Sequence, residues 1–514
     1  MECPIIYQQS LCLKIDTKPS GKEFAAQCNT GQHLLLPEFA PVAQLISIAP
    51  APSPGLMYLT KTLTDLHGWR ADLLWFPDPQ IPKVRLETDG LLVTGQSADG
   101  VVRVVAIGRY HDVRLQLATD CPDLPITHWP GLCIAPGFID LHTHYPQTDV
   151  IGSPADGLLP WLEHYTFPHE KQFASPSYAH EVSNFFLDEL MRHGVTTALC
   201  FATAHPESVD VFMAEAQKRR LRMITGKVLQ DRHSPDGLRD TDTPTSLRQT
   251  EALIARWHGV DRLGYAITPR FAPTSSPEQL HGAGEIAQQF PDVWIQSHVA
   301  ENVDEIRWVK ELFPQARSYL DVYDRAGLLR QRAVYAHCIY LDNTDRHRMA
   351  EVGASAAISP TSNLFLGSGF FDYPASDAAG LRYGLASDVG GGTSFSPFHT
   401  MHAAYTVARQ NVGRPCISLA PEQLWWQHTA GAAQALDLTG KVGNLLPGYE
   451  ADFVVINPQA TPLLARRTAQ TNTLAEWLFA LIVLGDERLI AHTVVQGQIV
   501  APAPNAHPVI GRSA

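Results

Sequence analysis

The sequence predicts an α/β protein: a (β/α)8 barrel of the TIM type with a small β-sandwich formed by the segments that flank it. Three observations predict it. Eight short apolar runs alternate with amphipathic helical stretches between residues 136 and 447. Short β-rich runs bounded by Gly, Pro and Asp turns precede that region and return after it. Histidines and acids stand at the C-terminal ends of the apolar runs, which is where barrel chemistry takes place.

Taken in order, residues 1–67 have mixed composition and no clear period, and are expected to be an extension outside the catalytic fold. Within it, "LISIAPAPSPGL" reads as a linker, because its prolines suit neither a helix nor a central strand. Residues 68–135 hold "ADLLWF", "DGLLVTG" and "VVRVVAIG", the expected first part of the sandwich. The barrel is expected over 136–447, with strands at 138–142, 195–201, 223–229, 264–268, 293–298, 334–337, 356–359 and 384–388. Segments such as "YAHEVSNFFLDELMRHG" and "ESVDVFMAEAQKRR" have the apolar spacing of the intervening helices. Residues 448–514 return to β character in "GNLLPGYEADFVVINP" and "HTVVQGQIV", and are expected to complete the sandwich and end in a tail.

Composition narrows the function. The chain has 514 residues, 39 Lys and Arg against 52 Asp and Glu, and a net charge of −13. An acidic balance lacks the basic footprint that nucleic-acid binding needs, so a small neutral substrate is expected and no nucleic acid. The eight cysteines include no CxxC pair, which suits a reducing compartment. The start, "MECPIIYQQSLCLKIDTKPSGK", has neither a basic opening nor a long apolar core, so no signal peptide is expected. The longest apolar run, "WLFALIVLG" from Trp477, is shorter than the ~18 residues a membrane span requires. Cytoplasmic location and no membrane partner are the expectations.

The strand ends carry the chemistry. Strand one closes on "HTH", and His142 and His144, two apart, point to the same face. The fifth strand ends at His298, the sixth at His337 and the eighth at Asp388. A lone H-x-H among 22 histidines says little, and His298 or His337 alone would read as a core histidine. All five at the mouth of one barrel read as a metal site, of a donor type that suits Zn2+ or Fe2+. Glu301 follows His298 by three residues and is placed to carry a proton from water to substrate; alone it would read as a surface loop residue. Lys227 sits inside the third strand, one strand too early for a carboxylated bridge between two metals, so the centre is expected to be mononuclear. Other signatures fail: His205-Pro206-Glu207 gives half of the zinc base-deaminase pattern, but Leu419 stands where its second cysteine would be, and no P-loop is present. Gly390-Gly391-Gly392 reads as a tight turn.

With those residues in view, "PGFIDLHTHYPQ" resembles the metal motif of the amidohydrolase superfamily. "LPWLEHYTFPHE", "GKVLQDRHSPDGL", "YAITPRFAPTSSPEQL", "SHVAENVDEIRWVK", "AHCIYLD", "SPTSNLFLGSGFF" and "SDVGGGTSFS" resemble its guanine deaminase family in particular. The likeness runs from about Gly68 to Ala501. It implies hydrolysis of guanine by water to xanthine and ammonia, with one Zn2+ per chain held by His142, His144, His298, His337 and Asp388. Glu301 and Asp388 would be catalytic, and His144, Gln147, Arg270, Phe271, His298, Glu301 and Asp388 would contact the purine. A homodimer is implied as well. Ala386-Ser387 replaces the family's frequent Gly-Thr before the aspartate and leaves the ligand in place. The competing readings are an amidohydrolase acting on another aminated heterocycle, and a metal-binding interaction protein without turnover; the retained Glu301 disfavours the latter.

Overall fold

Residues 63–410 and 416–501 are described by the computed structural model of the chain. Apart from its last residues the expected extension, with its linker, lies outside them, as do the residues after 501. Four strands precede the barrel: β1 (Thr64–Trp75), β2 (Arg85–Gln96), β3 (Val102–Arg109) and β4 (Ile126–Pro136). The first of these begins at Thr64, ahead of the point where its sequence pattern becomes regular. The barrel strands are β5 (Phe138–His144), β6 (Val195–Phe201), β7 (Arg222–Gly226), β8 (Val228–Leu229), β9 (Gly264–Pro269), β10 (Trp294–Val299), β11 (Ala333–His337), β12 (Ser355–Ile358) and β13 (Arg382–Leu385). Three more follow: β14 (Phe453–Ile456), β15 (Ile490–Val495) and β16 (Gln498–Ala501).

The flanking segments form one seven-stranded sheet, ordered β16-β15-β14-β4-β1-β2-β3. The N- and C-terminal parts join where β14 runs antiparallel to β4, with Phe453 opposite Pro136 and Ile456 opposite Cys133. Alternation in β1 sends Trp69, Ala71, Leu73 and Trp75 to one face, where they pack with Leu92, Val104, Ile134, Phe453, Val455 and Val494 from five other strands. Leu91, Val93 and Val105 take the opposite face, under Val113 and Leu117 of the helix Tyr110–Leu117.

Gly137 alone separates β4 from β5. A Cβ there would stand 2.4 Å from Thr196 Oγ1, so the turn into the barrel requires glycine. The barrel ladder runs β5-β6-β7-β9-β10-β11-β12-β13 and is parallel throughout, with β8 pairing β9. β7 and β8 are two parts of one barrel strand broken at Lys227, whose N–H donates to Tyr265 Oη (3.1 Å) instead of to the ladder. These strands are buried on both faces, which explains their continuous apolar composition; all of VTTALCF in β6 is buried. Ile139, Leu141, Leu199, Ile224, Ala266, Trp294, Val334 and Ala357 fill the lower interior, stoppered by Ala432, Ala433 and Leu436.

Closure of the barrel corrects one expectation. Asp388 does not end the eighth strand, which stops at Leu385. The chain beyond leaves the ladder, with Asp388 at φ +53°, and joins β5 by other bonds. Ser387 N–H donates to Asp140 Oδ1 (3.0 Å), Asp388 N–H to His142 O (2.9 Å), and His144 N–H to Val389 O (2.8 Å). Among the described residues no helix is long and apolar enough to cross a membrane. The run from Trp477 lies in the helix Leu474–Leu484, whose Leu478, Leu481 and Ile482 are buried.

Candidate metal centre and active site

β5 delivers its histidines as the alternation of a strand requires: His142 and His144 lie on the same face with Nε2 atoms 3.1 Å apart. His298 Nε2 stands 3.3 Å from His144 Nε2. Asp388 Oδ1 is 3.1 Å from His142 Nε2 and 3.3 Å from His144 Nε2. His337 Nε2 lies 3.9 Å from Asp388 Oδ2. Two ligand atoms at about 2.05 Å from one ion, at the tetrahedral angle, are about 3.3 Å apart. The spacing is therefore that of donors around a single small cation.

Hydrogen bonds behind the rings aim them. His298 Nδ1 donates to Arg270 O (2.6 Å) and His337 Nδ1 to the amide oxygen of Asn363 (2.9 Å), so each presents Nε2 to the centre. Burial pushes His144 down to about 4 and His298 well below its usual value, so both rings are neutral and their lone pairs available. Burial alone would raise Asp388, but the His142 imidazole beside it holds the carboxyl well below the carboxylate range. Ring nitrogens of four imidazoles and the oxygens of one carboxylate converge here, and the five residues fit a metal ion. Asp140 ties the centre together: its Oδ1 accepts from the His142 N–H (3.2 Å) and the Ser387 N–H, linking the H-x-H strand to the Asp388 loop.

Glu301 leaves β10 through Ala300, which takes φ +51°. Its backbone N–H is held by Glu305 Oε2 (3.1 Å), within the capping box that starts the helix Val303–Leu312 on Asn302. Ser368 Oγ donates to Glu301 Oε1 (2.7 Å), and Oε2 stands 3.3 Å from His337 Nε2. Burial, and then the charge of Asp388, raise the Glu301 carboxyl to about 8 against the Ser368 bond, a value suited to proton exchange near neutrality.

A cavity opens over these groups, and of the residues singled out from sequence it is lined by His144, Gln147, Arg270, Phe271, His298, Glu301, His337 and Asp388. His142 is not part of its lining. Leu158, Trp161 and Leu162, from the segment after β5, form an apolar wall. Gly391 also borders the cavity; the three glycines make the expected turn, and a Cβ on Gly390 would meet Gln147 O at 2.4 Å. Lys227 stays apart from the histidines, with Nζ paired to Asp240 and donating to Val228 O (3.3 Å).

Sequence reasoning singled out neither Glu170 nor Asp140. Glu170, at the end of the helix Phe167–Glu170 and 1% exposed, pairs with Arg270 through both terminal nitrogens, Nη1–Oε2 2.5 Å and Nη2–Oε1 3.1 Å. Gln147 Nε2 donates to the same Oε1 (3.0 Å). The guanidinium of Arg270, expected to contact the purine, is thus engaged by Glu170, and only its remaining N–H bonds can serve a ligand. "YTFPHE" in the motif 159–170 held this glutamate, but nothing in its spacing links it to Arg270, a hundred residues later. Asp140 was the more visible omission, as an acid inside an apolar strand.

Comparison with known proteins agrees with this architecture. The profile of the amidohydrolase family matches residues 133–500. The chain is 42% identical over 425 residues to the guanine deaminase of Escherichia coli strain K12, covering 82% of this chain and 94% of that protein. The solved structure of E. coli guanine deaminase superposes with a TM-score of 0.79 at 40% identity, covering 85% of this chain and all (100%) of that one. The crystal structure of guanine deaminase from C. acetobutylicum, with guanine bound in its active site, gives a TM-score of 0.76 at 29% identity, over 85% of this chain and 100% of the other. By profile, sequence identity and fold, the chain belongs to the amidohydrolase family.

Proposed function

We infer that this chain is a guanine deaminase, converting guanine and water to xanthine and ammonia with one zinc ion per chain. The observation that carries this reading is the meeting in one cavity of a histidine–aspartate cluster, a buried Glu301 and the Gln147–Arg270 pair, in a chain 42% identical to a guanine deaminase. His142, His144, His298, His337 and Asp388 would hold the ion. When bound, it supplies a water whose pKa is brought toward ~7.

The chain's own groups do the rest. Asp388 accepts a hydrogen bond from the attacking water and directs it at C2 of the ring. Glu301 takes a proton from that water and gives one to the ring nitrogen beside C2, which makes the carbon electrophilic. A further proton passes through Glu301 to the C2 amine, the C–N bond breaks, and ammonia leaves. Free N–H bonds of Arg270 suit the C6 carbonyl, and the Gln147 amide offers one donor and one acceptor to the ring edge. Phe271 and the wall of Leu158, Trp161 and Leu162 give an apolar surface for the flat ring. Unpaired cysteines Cys121, Cys133, Cys200, Cys338 and Cys416 support a reducing, cytoplasmic setting.

Ammonia release from guanine, adenine, cytosine and melamine, each with and without a chelator, tests the reading. Guanine is expected to be preferred by at least ~100-fold, with turnover lost on chelation and restored by zinc. Preference for the pyrimidine or triazine, or release from none of them, would contradict it.

A further inference from the structure

Gln147 and Arg270 reach the cavity from different elements, the turn Tyr145–Val150 after β5 and the loop after β9. One carboxylate behind them joins the two. Glu170 Oε1 accepts from both Arg270 Nη2 (3.1 Å) and Gln147 Nε2 (3.0 Å), while Oε2 accepts from Arg270 Nη1 (2.5 Å). On the other side, Gln147 Oε1 accepts from the Gly390 N–H (3.3 Å).

These contacts leave the Gln147 amide a single orientation. A carboxylate can only accept, so the atom facing Glu170 must be the NH2 group; a backbone N–H can only donate, so the atom facing Gly390 must be the oxygen. Turning the amide over would set acceptor against acceptor and donor against donor in a buried site, and each mismatch is costly. Arg270 is fixed in the same way, because two parallel bonds to one carboxylate set the plane of its guanidinium. What remains for a ligand is a fixed pattern: donors from Arg270, and one donor and one acceptor from Gln147. That pattern suits a ring edge carrying a carbonyl, and it repels an edge that offers only an amine there.

We propose that Glu170 is a positioning residue that sets selectivity for 6-oxopurines by holding Arg270 and Gln147 in one donor–acceptor arrangement. The proposal rests on the purine reading of the cavity given above. A merely structural role is the alternative: Glu170 lies on the segment that also brings Leu158, Trp161 and Leu162 to the cavity, and the ion pair could serve only to fasten that segment.

Competitive inhibition separates the two roles without depending on turnover of the probe. Hypoxanthine carries the C6 carbonyl and unsubstituted purine does not, and neither has a C2 amine to lose. Against guanine turnover by the unmodified zinc enzyme, hypoxanthine should bind at least ~10-fold more tightly than purine. Glu170→Gln should raise the Ki of hypoxanthine by at least ~10-fold and leave that of purine within ~3-fold, with zinc content unchanged. Glu170→Asp keeps the charge but draws the oxygens back by one methylene, so it cannot span both partners and should act in the same direction. Equal Ki values for the two probes in the unmodified enzyme would overturn the proposal before any variant is made. So would a parallel rise of both Ki values in the variants, which is the mark of a loosened wall, or no rise in either. Absence of guanine turnover by the unmodified enzyme is a separate result and would overturn the functional reading instead.

Discussion

Glu301→Gln separates the proposed proton-carrying role of this residue from every structural one. The substitution replaces a carboxyl by an amide of the same shape. Ser368 Oγ can still donate to the amide oxygen, as it does to Glu301 Oε1 at 2.7 Å. The backbone N–H of residue 301 keeps its bond to Glu305 Oε2, so the capping box and the loop it anchors persist. The new NH2 group occupies the place of Oε2, 3.3 Å from His337 Nε2. Fold and metal content should therefore be unchanged, with stability altered by less than about 1 kcal/mol. An amide cannot take up and release a proton, so the loss falls on the chemical step. A positioned acid–base group contributes ~10²–10⁴-fold, or about 2.7–5.4 kcal/mol of barrier. The assay is the initial rate of guanine loss at saturating substrate, beside metal analysis and a thermal melt of the same sample. A fall in kcat of that size with metal and melting point retained is expected. Turnover within ~3-fold of the unmodified enzyme would refute the assignment and make Asp388 the first candidate.

Other perturbations test the remaining parts. His142→Ala removes one of the converging donors and should abolish metal retention on dialysis together with turnover; activity without metal would refute the centre. Arg270→Lys offers a single Nζ that cannot span both Glu170 oxygens, and should lower kcat/KM for guanine by at least ~10-fold, about 1.4 kcal/mol, with zinc retained. Adenine and guanosine should be poor substrates of the unmodified enzyme, the first for lack of a carbonyl and the second for its ribose; equal use of either would contradict the proposed pocket. Lys227→Met leaves Asp240 buried without its cation, and should cost about 3–5 kcal/mol in a denaturant titration while metal stoichiometry stays at one. Loss of metal in that variant would place Lys227 in the centre.

Most of the barrel and its donors could be read from sequence because two rules act locally. Alternation along a strand puts His142 and His144 on one face, and parallel barrels keep their chemistry at the strand ends, where His298 and His337 lie. Asp388 follows a different rule. It sits in a turn held to β5 by Ser387, Asp388 and His144 backbone bonds, and such pairing between the first and last strands has no local signal. Lys227 read as part of a continuous strand because nothing in the sequence shows that its N–H turns to Tyr265 Oη. Glu170 was the least legible, since its role exists only through Arg270 and Gln147, which the fold brings to it from elsewhere in the chain.

The central claim is that water replaces the C2 amine of guanine in this cavity. The most direct measurement is to incubate the purified zinc-loaded protein with guanine in water enriched in the heavy oxygen isotope, then to identify the purine by mass and quantify ammonia. The account predicts xanthine carrying one heavy oxygen, at C2, with one equivalent of ammonia released per ring. Unchanged guanine, ammonia without xanthine, or xanthine lacking the label would contradict it.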